Sequence, residues 1–109
     1  MIVTATLART HPELGWVAAE ERVTEALKFV ATMARCSSAE ELVPSGPVDA
    51  GWHALFSNTA IYAELCARLG CFVHHNPAVT GTETPARGWL DRTVAAIEAA
   101  GFEVSPDLW

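Results

Sequence analysis

Between Pro12 and Pro106 the sequence meets proline only at Pro44, Pro47, Pro77 and Pro85. Proline has no backbone N–H and its ring clashes with the preceding turn, so a helix accepts it in its first turn and stops at it elsewhere. The intervals 13–43, 48–76 and 86–105 are long. Each carries apolar residues at steps of three and four, a helical rather than a strand pattern.

Thr10 and Glu13 have the spacing of a capping box, with Pro12 in the opening turn, so a first helix is expected to start there. Val23, Ala26, Leu27, Val30, Met33 and Ala34 form its buried stripe, while Glu20, Glu21, Arg22, Glu25 and Lys28 fall mostly on the other side, and the helix ends near Cys36. A linker follows from Ser37 to Pro47, in which Ser38 and Glu41 could cap one turn. From Pro47 to Leu69 no proline intervenes, and Gly70 stands where a left-handed cap would be. The spacing predicts one long helix there, with an irregularity at Ser57-Asn58-Thr59. After it comes a turn-rich run containing His74-His75. Thr84 and Pro85 then open a last helix with Leu90, Thr93, Val94 and Ile97 inside, Gly101 as its stop and Phe102 folding back on it. The expectation is a small all-α domain of three main helices over residues 10–109, with a His-His turn after the second. Residues 1–9 are expected as a loose N-terminal segment, and Val104 to Trp109 as a tail either packed or loose.

Composition narrows the function classes. Seven Lys and Arg against thirteen Asp and Glu give a net charge of -6, and the cations stand singly. Without a basic stripe, nucleic acid is not an expected partner. Mean hydropathy is +0.20, but charged residues break every apolar run before membrane-span length, so no membrane span is expected. MIVTATLAR lacks a basic region ahead of an apolar one and does not read as a signal peptide. With three cysteines, a disulfide framework is not expected, and the simplest compartment is the cytoplasm.

Residues 52–75, WHALFSNTAIYAELCARLGCFVHH, hold three of the four histidines, two of the three cysteines and the one tyrosine. At about 100° per residue, Trp52, Leu55, Thr59, Tyr62, Cys66 and Leu69 form a single stripe that faces the core. Cys66 there reads as a small hydrophobe before it reads as a ligand, and a buried Tyr62 would need a partner for its hydroxyl. Asp49 and His53 share another face. A carboxylate one turn before an imidazole can accept its ring N–H and leave the other nitrogen for a metal or a proton. The plainer alternative is a boundary hydrogen bond at a helix N-terminus that favours Asp anyway. His74 or His75 could join this pair only across about five helical turns, roughly 25 Å, so a shared site requires a bend at Ser57 to Thr59 or a crossing of helices.

The run Val48-Asp49-x-x-Trp52-His53, then Thr59-x-x-Tyr62-x-x-x-Cys66, then Gly70-x-Phe72-x-His74-His75-x-Pro77 resembles the short bacterial relatives of the glycine-rich-domain-containing proteins. The resemblance implies a compact, mostly helical domain, and it brings no established reaction or cofactor. It also implies that relatives continue past a motif similar to Gly101-Phe102-x-Val104-x-Pro106-x-Leu108-Trp109 into a cysteine-containing tail, so chemistry depending on that tail is not expected of these residues.

Three functional readings follow. In the first, Asp49, His53, His74 and His75 are ligands of a divalent transition metal, zinc or a non-haem iron, with Trp52, Thr59, Tyr62 and Cys66 as the supporting polar network; Cys66 as a further ligand would favour zinc or copper. This is a metal-binding protein that could serve as an accessory enzyme. In the second, the motif is a structural hydrogen-bond network and the chain is a non-catalytic interaction module, with Trp89 and Trp109 in its exposed patch. The third is a metal-free acid–base enzyme using His53 against Asp49. No phosphate loop, G-x-S-x-G, H-E-x-x-H or C-x-x-C motif occurs. Cys36 and Cys71 read as structural, His11 as a surface residue, and Trp16 as core or boundary packing.

Overall fold

A helix that begins with a left-handed glycine and runs for six turns organises the molecule. In the computed structural model, which describes residues 2–35, 42–74 and 87–109, α2 (Gly15–Arg35) packs against α1 (Ile2–Thr10), α3 (Gly46–Ser57), α4 (Thr59–Leu69) and α5 (Arg87–Ala99). Short 3-10 turns cover Pro12–Leu14 and Pro106–Leu108. The described residues contain no strand, and the architecture is all-α. Among the described residues no helix is long and apolar enough to cross a membrane.

Among the described residues one core joins α1 to α5 through Val3 and Leu7 of α1, Val23 and Phe29 of α2, Val48 and Trp52 of α3, Tyr62 and Cys66 of α4, and Ile97 of α5. The stripe read for α2 is inside it: Val23, Ala26 and Val30 are buried, with Leu27, Met33 and Ala34 packed at its margin. At Gly51 the backbones of α3 and α2 meet, and an added Cβ would stand 2.3 Å from the Arg22 carbonyl oxygen. No side chain larger than hydrogen fits that crossing.

Several expectations are corrected. Residues 2–10 are a helix whose Val3 and Leu7 are buried, not a loose segment. Thr10 ends this helix, its Oγ1 donating back to the Thr6 and Leu7 carbonyls at 3.1 Å each, and so cannot cap the next one. The chain reverses through Pro12–Leu14, and Gly15 at φ 72° lets α2 begin. The long second helix is two helices. Asn58, at φ -89° and ψ 77°, breaks it, and its side-chain amide donates to Ala54 O at 2.8 Å and Thr6 Oγ1 at 3.1 Å. Among the described residues five helices thus stand where spacing led to three. Trp16 is 48 % exposed rather than packed. The Cys36 end of α2, the Ser38–Glu41 cap, His75, and the Thr84–Pro85 cap lie outside the described residues.

Glu25 departs furthest from its sequence reading. It is 3 % exposed and holds the tail: its carboxylate accepts from Ser105 N at 3.0 Å, Trp109 Nε1 at 3.2 Å and Lys28 Nζ at 2.9 Å. Lys28 also donates to the Glu103 carbonyl at 2.6 Å. Burying a carboxylate is tolerable when charge and donors surround it. Ser45 completes the clamp by donating to the Leu108 carbonyl while accepting from Val48 N, so one hydroxyl caps α3 and fixes the tail.

Candidate functional site

The break at Asn58 builds the site, because it folds α4 back so that Tyr62 meets Trp52. The Trp52 indole donates to the Tyr62 hydroxyl at 3.1 Å, and that hydroxyl donates to the Val73 carbonyl. All three residues are buried. The relay therefore ties α3, α4 and the segment after Gly70 together at one point, and it supplies the partner that a buried tyrosine hydroxyl needs. Burial pushes the Tyr62 phenol up to about 12; the Trp52 N–H opposes this, and the Cys66 and Cys71 thiols add to it.

Outside this relay lies the Asp49–His53 pair. Asp49 sits in the first turn of α3, where the helix dipole favours a carboxylate. Its Oδ2 is 3.3 Å from His53 Nε2, with the Asp49 side chain 21 % and the His53 side chain 53 % exposed. The His53 ring lies 4.9 Å from Phe56, centroid to centroid. Phe56 in turn stands 6.3 Å from Tyr62, Tyr62 5.4 Å from Phe72, and Phe72 4.7 Å from His74. An aromatic row thus runs from one histidine to the other across the corner formed by α3, α4 and residues 71–74.

Of the residues singled out by the sequence, the structure brings Asp49 and His53 into contact, and it buries Trp52, Tyr62 and Cys66 in one core. His74 stands at the far end of the row and is exposed. His75 lies outside the described residues, and among those described no group of three or more His, Cys, Asp or Glu is placed to hold a metal ion. Thr59 is exposed, because it opens α4 instead of continuing the stripe of α3. Cys66 is 2 % exposed and buried in the core. Sequence reasoning passed over Phe56, whose ring links the two halves of the row; its position three residues after His53 was the available signal.

Among the described residues, surface grooves lie elsewhere. One of about 300 Å3 is lined by Val17, Glu20, Thr24, Glu25 and Ser105 among others, and one of about 280 Å3 by Leu27, Leu55, Ile61, Leu65 and the Glu64–Arg68 pair. Neither contains Asp49 or His53. Comparison with protein-family models, curated proteins and solved structures finds no match to the chain.

Proposed function

We propose that the chain is a small helical metal-binding protein in which Asp49 and His53 hold a divalent transition metal, zinc or iron, together with His74 and His75 of the turn after α4. The observation that carries this reading is the 3.3 Å between Asp49 Oδ2 and His53 Nε2. Two ligand atoms about 2.0 Å from a tetrahedral ion stand roughly 3.3 Å from each other, so both could bind one ion with little change in α3. Four successive ring contacts lead from His53 to His74, so His74 would join the pair only by movement of residues 71–74 toward α3. Such an ion would supply a Lewis acid at a half-exposed position.

The same reading groups the chain with the family that its motif resembles. What supports the grouping is that Trp52, Tyr62, Phe72 and His74 of the motif are joined by the Trp52–Tyr62 hydrogen bond and the Tyr62–Phe72–His74 ring contacts.

A second reading has its own observation. The Trp52–Tyr62–Val73 relay is satisfied inside the protein, which supports a purely structural motif in a non-catalytic interaction module. Phe72, 53 % exposed, would then be part of the contact surface. The same Asp49–His53 contact, 3.3 Å between Oδ2 and Nε2, is the observation behind the acid–base reading.

Calorimetric titration of Zn2+ and of Fe2+ into the untagged, metal-stripped chain separates these readings. The metal reading expects one site that weakens strongly in both His53→Ala and His74→Ala. Absence of binding to the wild type, with the variants still folded, favours the interaction module.

A further inference from the structure

Helix α4 is buried along one side. Of its eleven residues Tyr62 and Cys66 are buried, while Ala60, Ile61, Ala63, Glu64, Ala67 and Arg68 are exposed. An outward helix face ordinarily carries charged and polar residues, whereas this one carries alanine and isoleucine around one acid and one base. Ile61, Glu64, Leu65 and Arg68 succeed one another by three, one and three, so they make a single stripe. With Leu27 of α2 and Leu55 of α3 this stripe lines the groove of about 280 Å3.

The two charges on the stripe lie side by side. Arg68 Nη2 is 2.9 Å from Glu64 Oε1, with the side chains 78 % and 66 % exposed. An ion pair this exposed adds little to the fold. A guanidinium has several N–H donors and a carboxylate has two acceptor oxygens, so the pair can bond outward while it holds.

We propose that α4 is the contact of a homodimer, packing antiparallel against α4 of a second copy of this chain about a two-fold axis midway between Glu64 and Arg68. The charges choose both the partner and the direction. That axis sets Glu64 against the partner's Arg68 and Arg68 against the partner's Glu64, and it brings the two Leu65 side chains together beside them. Parallel packing would set Glu64 against Glu64 and Arg68 against Arg68, two repulsions in place of two attractions. Ala60 and Ala67 flank the stripe with small side chains, which lets two helices approach closely. At about 1.5 Å per residue α4 is about 16 Å long, so contact along it falls short of the roughly 800 Å2 a side of a stable interface. The dimer is therefore weak and dissociates on dilution. The inference rests on the outer side of α4 and not on the metal reading.

Sedimentation velocity of the full chain from micromolar to millimolar concentration tests it, with Glu64→Arg, Arg68→Glu, an equimolar mixture of these two, and Ile61→Asp beside the wild type. All three positions are exposed, and circular dichroism checks that each variant is folded. The wild type should pass from monomer to dimer as concentration rises, less readily at high salt. Each charge variant should raise the dissociation constant about tenfold or more, since two attractive pairs become two repulsive ones. The mixture should regain association as a heterodimer, because a wholly basic stripe then meets a wholly acidic one. Ile61→Asp should stay monomeric. The proposal is overturned by a wild type that is monomeric throughout, by charge variants that associate as the wild type does, or by a mixture no tighter than its components. Association of Ile61→Asp equal to that of the wild type would place the contact elsewhere and overturn it as well.

Discussion

Tyr62→Phe removes one oxygen atom and leaves the ring that packs against Phe56 and Phe72. That oxygen accepts from the Trp52 indole and donates to the Val73 carbonyl. Losing the donor strands a buried carbonyl at a cost of about 1–3 kcal/mol, and losing the acceptor forfeits a bond worth about 1 kcal/mol more. The expected destabilisation is therefore about 2–4 kcal/mol, a large share of the roughly 5–15 kcal/mol that holds a domain together. Urea denaturation should show it as a lower midpoint at unchanged slope. A loss below about 0.5 kcal/mol would refute the claim that this hydroxyl joins the two halves of the site, since surface changes alone stay within that range. The same group gives a pH prediction. Its folded pKa lies above the ordinary value of 10.0, at about 12, so the neutral phenol is favoured in the fold. The stability tied to it is fully present below pH 10 and is lost as pH rises through about 12. Since the chain has one tyrosine, tyrosinate absorbance reads Tyr62 alone. A folded-state midpoint near 10 would contradict the burial argument.

Gly51→Ala should destabilise by about 1–3 kcal/mol although alanine favours helices by about 1 kcal/mol, because its Cβ meets the Arg22 carbonyl; thermal denaturation decides the sign. Glu25→Gln keeps the shape but weakens the charge-assisted bonds to Lys28, Ser105 and Trp109, and should cost about 1–3 kcal/mol, with hydrogen exchange rising first at Ser105 and Trp109. Thr4→Val should be neutral or stabilising by up to about 1 kcal/mol, since Thr4 Oγ1 is buried with no hydrogen-bond partner and its removal ends a desolvation cost. A clear loss of thermal stability in Thr4→Val would contradict that.

What the sequence disclosed was mostly local. The α2 stripe, the left-handed stop at Gly70, the fold-back of Phe102 and the burial of Trp52, Tyr62 and Cys66 each depend on neighbours within a few residues, where periodicity and cap chemistry operate. The misses came from distance. Glu25 sits among charges and reads as a solvated face, because its partners Ser105 and Trp109 lie some eighty positions away. The first helix escaped notice because Thr10 and Glu13 match a capping box. The backbone at Gly15 instead starts α2 later, and Thr10 closes α1. At Asn58 the irregularity was legible, but the direction of the break was not, since it depends on Thr6 of α1, fifty-two positions earlier. For the site this matters most: the Asp49–His53 pair follows from a spacing of four, whereas the meeting of Trp52, Tyr62 and Val73 follows from that break.

Elemental analysis of untagged protein, with Asp49→Asn and His53→Ala beside it, decides whether the Asp49–His53 pair binds metal. A metal site at this pair gives close to one equivalent of zinc or iron in the wild type and little in either folded variant. Metal-free wild type after growth in zinc- and iron-supplemented medium, or metal content unchanged in both variants, would contradict it.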